Sequence, residues 1–275
     1  ITLRKMGVDI GIMKPFAAGI AQEKGYKSED VEILSNAAQI NDPEELLNPQ
    51  FFPISASPYT AWKKLKIKPK IPLIITSLGA VSELVNTVHN YGGLVFHDII
   101  KKRHAEKAQE AGVDGLILVS AGAGGHAGTI NPMPLVAEIK SFFKKTILLS
   151  GCISSGRDIA SAMQMGADLA YMGTRFINTK ESKAPDAYCD MIIEAGASDI
   201  VYTAAVSGVP ANFLGPSLHA MGITEEMLSR KVKVDFGEEL TAQEDEAKAW
   251  ATIWSAGQGV SSIHDSPSVG HLIEN

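Results

Sequence analysis

The sequence is poor in cysteine, has no basic excess and contains no long apolar run. Its 275 residues include two cysteines, Cys152 and Cys189, with no CxxC pair and no zinc-like spacing of histidines and cysteines. We therefore expect neither a disulfide framework nor a metal site. We expect the protein to be in a reducing cytoplasm. Lysine and arginine number 25 against 31 acidic residues, which offers no footprint for nucleic acid or an anionic membrane. The apolar runs are far shorter than the roughly 20 residues that cross a bilayer, and we expect no signal peptide ahead of them.

Short apolar runs alternate with helical patterns from about residue 71 onward. They begin 23, 21, 31 and 23 residues apart, which is the spacing of βα units. Buried apolar strands that are joined by helices form a parallel sheet. We therefore expect an α/β fold with five parallel strands, at residues 71–77, 94–97, 115–120, 146–151 and 169–174.

Each expected strand ends in a small or polar residue. In barrels of βα units and in doubly wound sheets, ligands bind at the carboxyl ends of the strands. His97 is the titratable group among these strand ends, and it either lines a pocket there or packs in the core. The sequence predicts a site at this edge, close to Ser77, His97, Ser120, Gly151 and Thr174.

The stretch AGAGGHAG, residues 121–128, follows the third of these strands. Four glycines in eight residues let the backbone approach a ligand closely. His126, in their midst, exchanges a proton near neutral pH, which suits a general base. The alternative is a loop histidine that only hydrogen-bonds to the backbone. Histidines outside this loop and the strand ends, His104 among them, are expected at the surface.

Two further loops have the composition of a phosphate site. SGCISSG at 150–156 and the pair Gly173–Thr174 each follow a strand. Backbone N–H groups at such loops and at helix N-termini bind phosphate, and barrels often use their last two strands for it. The alternative is that these glycines only form tight turns. Neither loop has the GxGxxG or GxxxxGK[ST] spacing of nucleotide-binding motifs. Gln258, between two glycines of a distant loop, is a further candidate for contact with a ligand.

These motifs, in this order, closely resemble those of the nitronate monooxygenase family. The resemblance extends from about residue 71 to the end of the chain and includes YMGTRF at 171–176, GVPANFL at 208–214 and WSAGQGV at 254–260. It implies a TIM barrel that binds FMN and oxidises nitronates or nitroalkanes with O2 to a carbonyl compound and nitrite. The implied partners are a small nitro compound and O2, with a second copy of the chain as a candidate partner in a homo-oligomer.

The same resemblance implies roles for individual residues. His126 would be the catalytic base that takes the acidic C–H proton of a nitroalkane. Gly125 would lie near the isoalloxazine ring, and His97 would border the substrate pocket. Backbone N–H groups and the threonine hydroxyl would bind the FMN phosphate. The implied cofactor-binding residues are Gly125, Gly151, Cys152, Gly173, Thr174 and Gln258.

The barrel that the resemblance implies is incomplete in this chain. A TIM barrel has eight βα units and about 250 residues, whereas the five expected strands correspond to the family's fourth to eighth. The first three, with a proline–methionine flavin motif and an asparagine contact, have no counterpart. Asp98 lies near the position of a lysine in some members, and Val119 stands where many have Gln or Asp. We therefore expect residues 71–275 to form a partial, TIM-barrel-like domain with a C-terminal helical tail.

Residues 1–70 resemble a different family, dethiobiotin synthetase. The matching stretches are MKPFAAG at 13–19, KSEDVEIL at 27–34 and NPQFFPISASPYTA at 48–61. In these stretches Lys14 would match the lysine near substrate and phosphates, and the residue at position 30 the carboxylate that binds Mg²⁺. The P-loop and the C-terminal half of that family have no counterpart. We expect an unrelated N-terminal α/β segment that is catalytically inactive.

Three functional hypotheses follow. The first is FMN-dependent oxidation of nitronates or nitroalkanes with His126 as the base. The second is a catalytically inactive chimera of two gene fragments, which retention of flavin would contradict. The third is an enoyl-reductase-like FMN oxidoreductase that uses a nicotinamide, since such enzymes share the barrel and the GGH loop; an NADH oxidation assay separates it from the first.

Overall fold

The computed structural model describes residues 17–18, 20–22, 25–27, 51–52, 73–77, 79, 82–206, 208–228 and 253–274. The strands are β1 (Ala17–Ala18), β2 (Ile20–Gln22), β3 (Gly25–Lys27), β4 (Phe51–Phe52), β5 (Leu73–Thr76), β6 (Leu94–Ile99), β7 (Gly115–Val119), β8 (Gly125–His126), β9 (Thr146–Ser150), β10 (Leu169–Tyr171), β11 (Ile200–Thr203) and β12 (Ala211–Leu214). The helices are α1 (Ser82–His89), α2 (Lys102–Ala111), α3 (Pro132–Phe142), α4 (Gly156–Met165), α5 (Thr174–Ile177), α6 (Asp186–Glu194), α7 (Gly215–Ala220), α8 (Glu225–Leu228) and α9 (Val269–Glu274).

The chain divides into two compact units. The first comprises residues 1–74, 83–94 and 270–274, and the second comprises 75–82, 95–269 and 275. In the first unit β1 pairs with β4 in parallel, and β2 pairs with β3 in an antiparallel hairpin. The domain boundary expected near residue 70, and the candidate residues Lys14 and Asp30, lie outside the described residues.

A five-stranded sheet contains the predicted strands. Its order is β5–β6–β7–β9–β10, and the pairs β6–β7, β7–β9 and β9–β10 are parallel. The order in the sheet follows the order in the chain. A doubly wound sheet reverses its order at a switch point, whereas a barrel of βα units does not. The expected barrel-like α/β fold is confirmed, and in the described part of the chain the sheet is open rather than closed.

A repeated local structure explains the regular spacing of the strands. Helices α2 and α4 are each followed directly by a glycine in the left-handed conformation, Gly112 and Gly166 respectively. An aspartate comes two residues later. Asp114 accepts a hydrogen bond of 2.8 Å from Val95 N at the start of β6, and Asp168 accepts one of 2.8 Å from Ile147 N at the start of β9. Each helix is thereby joined at the same register to the strand before it.

The core of the second unit lies between the sheet and its helices. The first four residues of β7, GLIL, are all buried, as expected for a strand that is covered on both faces. Helix α2 buries three alanines at a spacing of three residues, so its charged side chains stand on the opposite face. Helix α3 begins where Asn131 accepts a hydrogen bond of 3.0 Å from Met133 N. No helix in the described ranges is long and apolar enough to cross a membrane.

A second sheet, which the sequence did not predict, stands beside the predicted site. It is antiparallel in the order β11–β12–β8. In it Ala211 is the register partner of His126, and Asn212 is the register partner of Gly125. The central strand β12 is buried along its whole length. We call residues 121–128, which contain His126, the histidine loop. This small sheet fixes the position of that loop.

Candidate functional site

Loops at the carboxyl ends of β7, β9 and β10 surround a cavity of about 290 Å³. Four of the predicted phosphate-binding residues line it, namely Gly151, Cys152, Gly173 and Thr174. The remaining lining residues are mostly glycine, alanine and serine, and the lining contains no charged side chain. The polar surface of this cavity therefore comes from the backbone and from hydroxyl groups.

The loop after β9 turns sharply into the cavity wall. Gly151 has φ 119°, and Cys152, at φ 57°, is the non-glycine residue with a positive φ in the described ranges. Such a conformation costs a non-glycine residue about 1–3 kcal/mol. The following helix α4 is capped at Ser155, whose Oγ accepts a hydrogen bond of 3.3 Å from Asp158 N. The strained turn lies directly before this capped helix.

A second glycine loop, residues 255–259, packs against the histidine loop. A Cβ added at Gly257 would lie 2.6 Å from Gly122 O and 2.9 Å from Gly124 N, so the two backbones are in direct contact. Gln258 N donates to Gly122 O at 2.8 Å. Gly257 N donates to Thr174 Oγ1 at 3.0 Å. Three segments that are distant in sequence are thus held together by backbone contacts.

The buried side-chain amide of Asn212 supports the histidine loop through a hydrogen bond. Asn212, which is 3% exposed, donates from Nδ2 to Ala123 O at 2.6 Å. The stretch that contains it was noted in the sequence for its family resemblance, not for this contact. Because Asn212 also pairs with Gly125 through β12 and β8, it fixes the backbone on which His126 stands.

His126 lies at the wall of a second cavity, of about 460 Å³. His97 and Asp98 at the end of β6 line the same cavity. Its apolar wall includes Val209 and Pro210. The larger cavity therefore combines a proton-exchanging side chain with room for a small organic molecule.

His97 is buried, and Thr76 orients its imidazole ring. It is 4% exposed, and its Nδ1 lies 2.7 Å from Thr76 Oγ1. Burial lowers the pKa of His97, while the Asp98 carboxylate and a hydrogen bond to the Thr76 backbone oppose that effect. The neutral form of His97 is therefore favoured. His97 is better suited to form part of the cavity wall than to bind a ligand through a positive charge.

Asp98 is the carboxylate of this cavity. Burial raises its pKa above the ordinary value, whereas a hydrogen bond from Ser77 and the nearby His97 and His126 lower it. The sequence indicated Asp98 as a departure from the family pattern, without a function. It lines the same cavity as His126, which makes it part of the same site.

Three further residues line the cavity and were missed at the sequence level, namely His104, Lys107 and Tyr202. His104, which was expected at the surface, is half-buried at this cavity. Desolvation and neighbouring positive charges lower its pKa. Tyr202, on β11, donates its hydroxyl to Ala127 O at 3.0 Å. The signal that could have indicated His104 is the spacing of the buried alanines of α2, which places it at the edge of the buried face.

The predicted site residues fall into three groups. Gly151, Cys152, Gly173 and Thr174 lie together on the smaller cavity. His97 and His126 lie together on the larger one. Gly125 begins β8, directly before His126, and Gln258 lies against Gly122, so both adjoin the cavities without lining either. Among the described residues, no group of histidine, cysteine and carboxylate side chains is arranged to hold a metal ion.

Substitution of Cys152 tests whether this residue acts through its backbone or its thiol. Desolvation and the negative charge of Asp158 raise the pKa of the thiol, so the thiolate is disfavoured. For the FMN binding that the resemblance implies, we expect Cys152→Ala to change the affinity less than about fivefold, since a loss of one weak thiol hydrogen bond is worth about 0.5–1 kcal/mol. Equilibrium dialysis against FMN measures this, and a loss of more than tenfold would show that the thiol binds the ligand.

The fold and the site define a barrel-related α/β protein with a glycine-lined cavity beside a histidine cavity. The sequence profile of the nitronate monooxygenase family matches residues 12–275. The chain therefore belongs to the nitronate monooxygenase family, as the motifs predicted. The match begins within the segment that resembles dethiobiotin synthetase.

Individual proteins show the same two similarities. The chain is 28% identical over 152 residues to a nitronate monooxygenase of Paraburkholderia phytofirmans, an alignment that covers 51% of this chain and 42% of the relative. It is 62% identical over 97 residues to the ATP-dependent dethiobiotin synthetase of Nitrosopumilus maritimus, covering 34% of this chain and 42% of the relative. The chain thus spans about two fifths of the length of these curated relatives.

A solved structure supports the fold. FabK of Thermotoga maritima superimposes with a TM-score of 0.64 at 22% identity, covering 96% of this chain and 91% of that chain. At this identity the similarity concerns the fold alone. It agrees with the arrangement of βα units described above.

Proposed function

We propose that this chain is an FMN-dependent oxidoreductase that oxidises nitronates or nitroalkanes with O2, with His126 as the catalytic base. The observation that carries the proposal is the position of one loop between two cavities. Gly122 and Gly124 of this loop line the glycine-rich cavity, and His126 lines the larger one. A base beside a cofactor cavity is the arrangement that proton abstraction coupled to oxidation requires.

The smaller cavity fits the phosphate end of FMN. Its lining carries no carboxylate that would repel a dianion. A Cβ added at Gly173 would meet no atom within 4 Å, so the space beside that backbone is open. Thr174 Oγ1 accepts a hydrogen bond from Gly257 N, which leaves its own proton for donation. Backbone N–H groups at Gly151, Cys152 and Gly173, with the Thr174 hydroxyl, would hold the phosphate.

The larger cavity fits a small nitro compound. When a nitroalkane lies beside His126, its C–H bond breaks and the proton passes to a ring nitrogen of His126. The bonding electron pair remains on the substrate as the nitronate. FMN, when bound, would supply the acceptor for the substrate's electrons, which reduce O2. The C–N bond breaks to release nitrite, and an oxygen atom from O2 or water completes the carbonyl compound. Val209 and Pro210 give this cavity an apolar wall that the alkyl group of the substrate would contact.

The first experiment is an absorbance spectrum of the purified protein, before and after addition of FMN and desalting. The proposal expects flavin bands that survive desalting, and nitrite release from nitroethane or ethyl nitronate in air. A protein that neither carries nor retains FMN contradicts the proposal and favours an inactive chimera. Oxidation of NADH without nitrite release would instead favour the enoyl-reductase-like alternative. Cytoplasmic location and homo-oligomer formation stay predictions.

A further inference from the structure

The histidine loop reaches His126 through a flexible stretch of backbone. Gly124 and Gly125 directly precede the histidine, and Gly125 has φ 70°. Glycine adopts left-handed and right-handed conformations about equally readily, so these two residues do not set the direction of the histidine by themselves. The position of His126 therefore depends on contacts from outside the loop.

The second sheet supplies two such contacts from one row of residues. Tyr202 on β11 is the register partner of Asn212 on β12, and Asn212 is the register partner of Gly125 on β8. Directly opposite residues of an antiparallel pair project their side chains to the same face. Tyr202 and Asn212 therefore stand side by side, and the third residue of the row has no side chain.

Each of these two side chains donates to a carbonyl group of the histidine loop. Asn212 Nδ2 donates to Ala123 O at 2.6 Å, three residues before His126. The Tyr202 hydroxyl donates to Ala127 O at 3.0 Å, in the residue directly after His126. The histidine and the flexible glycines thus lie between two anchored carbonyl groups.

The contact at Ala127 depends on a single oxygen atom, the hydroxyl of Tyr202. The peptide group between Ala127 and Gly128 is held from both sides, because Gly128 N donates to Val119 O at 3.3 Å. Burial raises the pKa of the Tyr202 hydroxyl, which therefore stays protonated near neutral pH. Ala127 is 3% exposed, and a buried carbonyl group that loses its donor is destabilising. Removal of this hydroxyl would release the peptide group on one side.

We infer that Tyr202 is a positioning residue for His126: through the carbonyl group of Ala127, its hydroxyl holds the imidazole where it takes a proton from the substrate. The inference rests on the proposed function. A base transfers a proton only from within hydrogen-bond reach, and a small displacement slows the step strongly. Tyr202 and His126 line the same cavity. The hydroxyl has one proton, which it donates to Ala127 O, so Tyr202 acts on the substrate through His126.

The first test compares nitroethane with ethyl nitronate in Tyr202→Phe, which removes one oxygen atom and keeps the ring. We expect kcat for nitroethane to fall about tenfold, and the kinetic isotope effect with 1,1-dideuteronitroethane to rise. Ethyl nitronate has no proton to lose at this step, so its kcat should stay within about threefold, as should the Kd of FMN. Tyr91→Phe is the matched control, since Tyr91 lines neither cavity, and it should leave all of these values unchanged.

Two kinetic results would overturn the inference. One is an unchanged kcat for nitroethane in Tyr202→Phe. The other is an equal loss for both substrates, because a hydroxyl that binds the nitro group directly acts on the nitroalkane and the nitronate alike.

A second readout does not depend on turnover. Hydrogen exchange of backbone amides is measured by mass spectrometry on peptides that cover the histidine loop. In Tyr202→Phe we expect exchange of residues 126–128 to become about fivefold faster, and exchange in β7 to stay as in the unmodified protein. Unchanged exchange in the loop overturns the inference, and so does a rise that includes β7, because it reports a general loss of stability. If the unmodified protein oxidises neither nitro compound while loop exchange alone rises in Tyr202→Phe, Tyr202 holds the loop and the proposed function is wrong.

Discussion

Substitution of His126 by asparagine is expected to lower kcat/KM for nitroethane by about 10²–10⁴, the usual contribution of a general base. Asparagine has a similar size but cannot accept a proton at neutral pH. His126 stands on a loop that is fixed by the pairing of β8 with β12 and by Asn212, so the backbone should keep its place. Nitrite release at steady state measures the rate, and the flavin absorbance after desalting measures cofactor retention.

Two comparisons make this result specific for proton abstraction. Ethyl nitronate has no C–H proton to lose at this step, so its turnover should fall much less than that of nitroethane. His264→Asn, at an exposed histidine that lines neither cavity, should leave both rates within about threefold. Nitroethane turnover that survives in His126→Asn would exclude His126 as the base.

The sequence predicted the five strands because their signal is local. Each is a short apolar run, and β7 combines its run with burial along four of its five residues. The spacing of the runs then indicated βα units, and parallel pairing follows from that connection. The observed strands begin within two residues and end within three residues of the predicted ones, a deviation typical of element boundaries.

The second sheet could not be predicted in the same way. Strand β8 has two residues and β12 has four, which is too short for an alternating pattern to be recognised. Their pairing joins residues 87 positions apart, Asn212 and Gly125, and it depends on the tertiary structure. Motif resemblance indicated that both segments matter, but it did not indicate that they contact each other.

The candidate site shows the same division. The glycine loops and His126 were recognised because unusual composition at a strand end is visible in sequence. The position of Asp98 and His126 on one cavity was not, since it depends on the tertiary structure. His104 directly follows three charged residues, 101–103, so the sequence indicated a surface position, although His104 borders a cavity. The composition of the loop identified His126 as a residue that can react, whereas the structure identified the charged residues that line the same cavity.

Substitution of Gly257 by alanine is expected to have the second large effect, on stability and on FMN retention together. The new Cβ would lie 2.6 Å from Gly122 O and 2.9 Å from Gly124 N. Both are backbone atoms, so neither can turn aside as a flexible side chain would. Overpacking of this kind costs about 1–3 kcal/mol of unfolding free energy. Thermal and urea unfolding measure the loss, and FMN titration of the folded protein measures the effect on the cavity.

Gly173→Ala separates the two effects, because the same change is made where the protein leaves space. A Cβ at Gly173 meets no atom within 4 Å, and its φ of −119° suits an alanine. We expect the free energy of unfolding to stay the same or to rise by about 0.4–1 kcal/mol, since alanine reduces the freedom of the unfolded chain. FMN affinity should nevertheless fall at least tenfold, because the methyl group would enter the space assigned to the phosphate. If Gly173→Ala retains FMN as well as the unmodified protein does, the phosphate does not bind in this cavity, whatever happens at Gly257.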